Sequence, residues 1–77
     1  MNIGGLYTYP DQRRLHTDYS LDEWIGHVSE QSPFVMIEVK QIIRRYHGHI
    51  TVYKILTADG EIGWIYGMKE YFKEVTP

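Results

Sequence analysis

The sequence has no cysteine. That excludes a disulfide framework, a thiolate nucleophile and cysteine-bound zinc, and it leaves the fold to the hydrophobic core alone. No apolar run approaches the roughly 18 residues that a membrane-spanning helix needs. Prolines number only three, and neither repeats, low-complexity stretches nor a linker interrupt the chain. Charge of one sign is lacking too. Ten acidic residues against eight basic ones give a net charge of −2, which exerts no global pull toward nucleic acid or acidic membranes. The start, Met1-Asn2-Ile3-Gly4-Gly5, does not have the basic-then-apolar order of a secretory leader. These absences predict a soluble cytoplasmic protein.

What is present is a folding composition, 43% hydrophobic and 23% charged, in a chain of 77 residues. That length predicts one domain, residues 1–77, near the lower limit of what a core sustains unaided. Aromatic residues stand out, with seven tyrosines and two tryptophans. A ring with an apolar body and a polar tip serves two purposes: it fills a small core economically, and it suits a contact surface.

Along the chain, Ile3 to Tyr9 reads as a short strand stopped by Pro10-Asp11, and Asp11 to Tyr19 as a polar loop. Ser20 and Glu23 form a capping-box pattern, and Leu21, Trp24, Ile25 and Val28 follow at helical spacing. The pattern predicts a short helix from Ser20 to Ser29, weakened at Gly26. Phe34 to Ile43 reads as a half-buried strand, with Val35, Ile37, Val39 and Ile43 inward. Arg44 to His49 then reads as a turn and Ile50 to Leu56 as the return strand. Asp59-Gly60 marks a tight hairpin into a strand from Ile62 to Tyr66. Met68 to Phe72 predicts a turn of helix, and Lys73 to Val75 a last strand. The expected core is Leu6, Leu21, Trp24, Ile25, Val35, Ile37, Val39, Ile50, Val52, Ile62, Ile65 and Val75.

This order resembles the Src homology 3-like barrels. Gly60-Glu61-Ile62-Gly63-Trp64-Ile65, followed by Tyr71, is similar to their glycine-aromatic-isoleucine signature. Gly5-Leu6-Tyr7-Thr8-Tyr9 is similar to the Ala-Leu-Tyr-Asp-Tyr start of the peptide-binding members. The chain also resembles the free-standing small barrels encoded by bacteriophages. The resemblance implies a mainly β fold: a small five-stranded barrel with one short helix inserted after the first strand and a helical turn near the C-terminus. Three departures weaken proline-rich peptide recognition. Ile50-Thr51-Val52-Tyr53 has no tryptophan pair, Tyr66 stands in place of the proline after the isoleucine, and the spacing to Tyr71 is longer.

Two surfaces are candidates for contact. Tyr7, Tyr9, Trp64, Tyr66 and Tyr71 would share one face in a barrel of this kind, predicting a protein-interaction module or self-association into a homo-oligomer. Alternatively Trp64 or Tyr71 packs under the added helix beside Trp24. The second candidate is the basic hairpin of Arg44, Arg45, Tyr46 and Lys54, with His47, His49, Arg13 and Arg14 near it, which suits a nucleic-acid backbone. His47-Gly48-His49, joined by His16 or His27, lacks a patterned third and fourth metal ligand, so neither metal nor cofactor is expected. The carboxylates have capping and turn roles, and no nucleophile motif is present. A non-catalytic protein is the expectation.

Overall fold

A computed structural model describes residues 1–76. Seven strands run β1 (Leu6–Thr8), β2 (Arg13–His16), β3 (Trp24–Val28), β4 (Phe34–Arg44), β5 (Gly48–Thr57), β6 (Ile62–Tyr66) and β7 (Lys73–Glu74). A 3-10 turn, Lys69–Tyr71, lies between β6 and β7. All the pairings are antiparallel, in the order β3-β2-β6-β5-β4-β1-β7, and the sheet curls into a half-barrel.

The local signals for β4, β5 and β6 hold. β-Branched and aromatic residues dominate all three, and the turn between β5 and β6 is the Asp-Gly hairpin. There Gly60 adopts φ +86° and donates to the Thr57 carbonyl at 3.0 Å, while the Thr57 N–H reaches the Glu61 carbonyl at 2.8 Å. A left-handed third loop residue is the geometry that glycine supplies without steric cost.

The five-stranded expectation is corrected to seven strands, and no α-helix forms among the described residues. The segment expected to be an inserted helix is instead a loop followed by β3. Its capping box does not form, because the Asp18 carboxylate takes the Ser20 N–H and Leu21 turns to φ +63°. Glu23 gives its carbonyl to the Thr17 N–H at 3.1 Å, which starts a hairpin with β2. The polar stretch expected as a loop thus contains β2, and hairpin pairing of β2 with β3 overrides the helical spacing.

The core consists of Tyr7, Tyr9, Leu15, Val28, Phe34, Met36, Tyr53, Ile55 and Ile65, with Phe72 packed against it. Of the expected core only Val52 and Ile65 are fully buried. Leu6, Trp24, Ile25, Val39, Ile62 and Val75 reach solvent, and Leu21, Val35, Ile37 and Ile50 are half-buried. Two shifts of phase account for Leu6, Val35 and Ile37. The rings of Tyr7 in β1 and Tyr9 just after it turn inward instead of Leu6. In β4 the register shifts between Met36 and Glu38, so Phe34 and Met36 point into the core while Val39 follows on the Tyr53 side, at the open end. A bulge reverses the alternation that a regular strand would keep.

Phe72 organises the rings. Its centroid lies 4.9 Å from Tyr9, 4.4 Å from Tyr53 and 6.0 Å from Phe34. The buried tyrosines also satisfy their hydroxyls: Tyr9 accepts from the Met68 N–H at 2.9 Å and Tyr7 from the Asn2 backbone nitrogen at 2.7 Å. On the other side of the core Gly63 makes the close approach. A Cβ there would lie 2.7 Å from both the His16 carbonyl oxygen and Leu15 Cγ.

Gly63→Ala is therefore expected to destabilise the fold by about 1–3 kcal/mol, the usual cost of overpacking. A Cβ at Gly26 meets nothing within 4 Å, so Gly26→Ala should stay within about 0.5 kcal/mol. Urea unfolding midpoints of the two variants measure the difference, and equal midpoints would refute the account of Gly63.

Candidate functional site

Alternation along β6 sets two faces. Ile65 opposes Tyr53 in the core, which sends Trp64 and Tyr66 to the opposite side, beside Lys54 and Val52 of β5. His16 of β2 pairs with Trp64 and joins that side. The tip of the β2–β3 hairpin, residues 17–23, folds across it as a strap. Tyr19 meets Trp64 edge-on at 6.0 Å, and Lys40 Nζ lies 4.3 Å from the Tyr19 centroid. Arg44 donates from a terminal guanidinium nitrogen to the Ser20 carbonyl at 2.7 Å. The Asp18 carboxyl is held below its usual range by hydrogen bonds from the Ser20 side chain and backbone.

Beside the strap lies a hollow of about 340 Å³, lined by Arg14, His16, Leu21, Arg44, His47, Ile50 and Tyr66. Two further hollows share Tyr66 with it. One adds Gln12 and Arg13, and the other adds His49, Met68 and Lys69 among its walls. No carboxylate lines any of the three. Arg13, Arg14, Arg44 and Lys69 thus gather around one half-exposed tyrosine in a chain whose net charge is negative. Basic groups segregated in this way favour an anion, although Arg13 is partly neutralised by the Asp11 carboxylate at 3.3 Å.

Several of these groups are held in place. The Arg14 guanidinium sits 4.4 Å over the Trp24 ring, and that of Arg13 lies 4.6 Å over Tyr9 and 3.3 Å from the Asp11 carboxylate. Arg13 Nε is buried without a hydrogen-bond partner among the described residues, leaving the ring contact as its compensation. His16 is buried, with Nδ1 3.2 Å from the Glu23 carbonyl. A carbonyl only accepts, so Nδ1 carries the proton in the neutral ring. Burial is the main cause that lowers the imidazole pKa below its ordinary 6.5. The Glu23 bond opposes the shift, and the charges of Arg14 and Arg44 add to it.

The two surfaces expected from sequence fare differently. The five rings do not share an exposed face. Tyr7 and Tyr9 are in the core at 5% and 2% exposure, and Trp64, though on the outer side, is covered to 7%. Only Tyr66 and Tyr71 reach solvent, and Tyr71 leans edge-on against Tyr9 at 6.3 Å. The cause is the inward phase of β1 together with Tyr19, which covers Trp64. Of the basic hairpin, Arg44 turns into the hollow. Arg45 and Tyr46 remain exposed at the tip, 5.7 Å apart, and Lys54 is directed toward Trp64 at 6.0 Å.

His16 was legible only as a histidine in a polar stretch. Its place opposite Trp64 depends on a strand pairing between residues far apart in the chain. His47 and His49 line different hollows, and no three histidine or acidic side chains come together as metal ligands among the described residues. No helix is long and apolar enough to cross a membrane among those residues. Comparison with protein-family models, curated proteins and solved structures yields no match.

The lowered His16 pKa sets a direction for stability against pH. Below about pH 6.5 the unfolded chain binds a proton that the folded chain resists, so this contribution is present above that pH and is lost as pH falls through the folded value. The urea midpoint of the native chain should therefore drop between pH 7.5 and 5.0, and His16→Gln should flatten that drop. An unchanged slope would remove His16 as its cause.

Proposed function

We propose that the protein is a small non-catalytic barrel of the Src homology 3-like type that binds single-stranded nucleic acid along the groove centred on Tyr66. The observation that carries the reading is the run of three carboxylate-free hollows around a half-exposed ring, bordered by Arg13, Arg14, Arg44 and Lys69. Alternating cations and an aromatic platform are what a single strand requires: phosphates bind the cations and an unstacked base lies on the ring.

The barrel type is supported by the order of the elements. A first strand leads to a long hairpin folded over the sheet, then a three-strand meander, a 3-10 turn and a last strand that returns to pair with β1. A protein-contact face built from Tyr7, Tyr9, Trp64, Tyr66 and Tyr71 has less support, since three of those rings are covered. Self-association has one observation in its favour: β3 is a free sheet edge with Trp24 and Ile25 half exposed. Sedimentation across a concentration series tests it, and a monomer throughout would overturn it.

Fluorescence anisotropy with a short oligothymidylate, titrated with salt, tests the main reading. About three phosphate contacts predict a fall of log affinity against log salt with a slope near −2. Arg14→Ala should weaken binding and reduce that slope by about 0.7. Tyr66→Ala should cost about 1–3 kcal/mol and leave the slope unchanged. Absence of binding at low salt would overturn the proposal.

A further inference from the structure

We infer that the hollow beside the strap is a phosphate seat, in which His16 Nε2 takes a proton from solvent as the anion enters. The inference rests on the nucleic-acid reading for the source of the phosphate, although the chemistry of the seat is the same for a free phosphate.

The geometry begins with His16, a side chain only 9% exposed. Nδ1–H is fixed on the Glu23 carbonyl at 3.2 Å, which leaves Nε2 as the ring nitrogen free to meet solvent or a ligand. The ring is a wall of the hollow, so this nitrogen is available to whatever enters.

The groups around it decide which ligand that is. Arg14 on the same strand, Arg44 from β4, His47 from the β4–β5 turn and Tyr66 from β6 line the hollow with His16. The strap contributes the Glu23 backbone carbonyl and Leu21, and no carboxylate lines the hollow. Without an anion, the arginines and burial oppose protonation of the imidazole. A phosphate oxygen at Nε2 reverses both effects, because it accepts a charge-assisted hydrogen bond from the imidazolium and offsets its repulsion from the guanidinium groups. Proton uptake and phosphate binding then strengthen each other by the same factor.

The strap also prepares Arg44. One terminal nitrogen is held by the Ser20 carbonyl at 2.7 Å, which orients the planar fork and leaves its other N–H groups for an anion. Leu21 and Ile50 add apolar wall, so the hollow has room and character for the sugar or base edge attached to a phosphate.

Two measurements on the full chain test the seat. The first is oligothymidylate affinity at constant ionic strength from pH 7.5 to 5.5. The second is the NMR titration of the His16 ring, with and without oligothymidylate or inorganic phosphate. Affinity should rise as pH falls, by at most about tenfold per unit for one linked proton, and the His16 midpoint should move upward when ligand is added. In His16→Gln the pH dependence should shrink, and affinity at pH 5.5 should fall toward its value at pH 7.5. A midpoint raised by inorganic phosphate assigns the seat to the phosphate group itself, and one raised only by the oligonucleotide assigns it to the strand; both support the inference. If the oligonucleotide binds and neither ligand moves the His16 midpoint, the seat is refuted and the groove reading survives. If inorganic phosphate raises the midpoint and the oligonucleotide does not bind, the groove reading fails and the seat stands. If neither ligand moves it, the seat is refuted. The wild-type titration decides even where His16→Gln does not fold.

Discussion

Leu15 rests against the bare backbone of Gly63, and the register of β2 on β6 depends on that contact. Any side chain at position 63 would meet the His16 carbonyl and Leu15 before the strands could pair. Because the approach is this close, His16 falls opposite Trp64, and the rest of the outer face follows. The hairpin tip then crosses Trp64, Arg14 lines two hollows with Tyr66, and Arg44 reaches the Ser20 carbonyl.

The aromatic richness of the chain has a mostly structural explanation. Tyr9, Tyr53, Phe34 and Phe72 converge in the half-barrel, and Tyr9 and Tyr7 keep their hydroxyls bonded to backbone N–H groups at the rim. A domain of this size encloses little volume, so large rings with satisfied polar ends give it more buried apolar area per residue than aliphatic side chains would. Tyr66 is the ring left over: half exposed, and common to three hollows whose only charged walls are basic.

The residues that were easiest to read are those whose structure is local. The Asp59-Gly60 turn and the Ile62–Tyr66 strand stand where their sequence predicts, as do the long paired strands before them. The inserted helix does not form: Leu21, Trp24, Ile25 and Val28 keep helical spacing, but Asp18 and Thr17 take the backbone groups that a helix start would use. In β4 the odd-numbered residues are expected inward, but the register shift after Met36, invisible in composition, gives that phase only to residues beyond it, and before it Phe34 and Met36 face the core instead of Val35 and Ile37. Of the site, Arg44 was legible as a basic hairpin residue, and Arg13, Arg14 and His47 as its neighbours in charge. Their assembly around Tyr66 was not.

The sequence by itself determined a mainly β protein, the positions of its three longest-range-independent signals (the Asp-Gly turn and the two strands it joins) and the means to fill a small core with rings. These are consequences of residue-level preferences for turn and extended backbone, which act within a few positions. Which tyrosines are core, which is surface, and which cations lie together were decided only by the tertiary structure. A side chain's face depends on strand register and bulges, and those are set by contacts between residues far apart, such as Leu15 with Gly63 and His16 with Trp64.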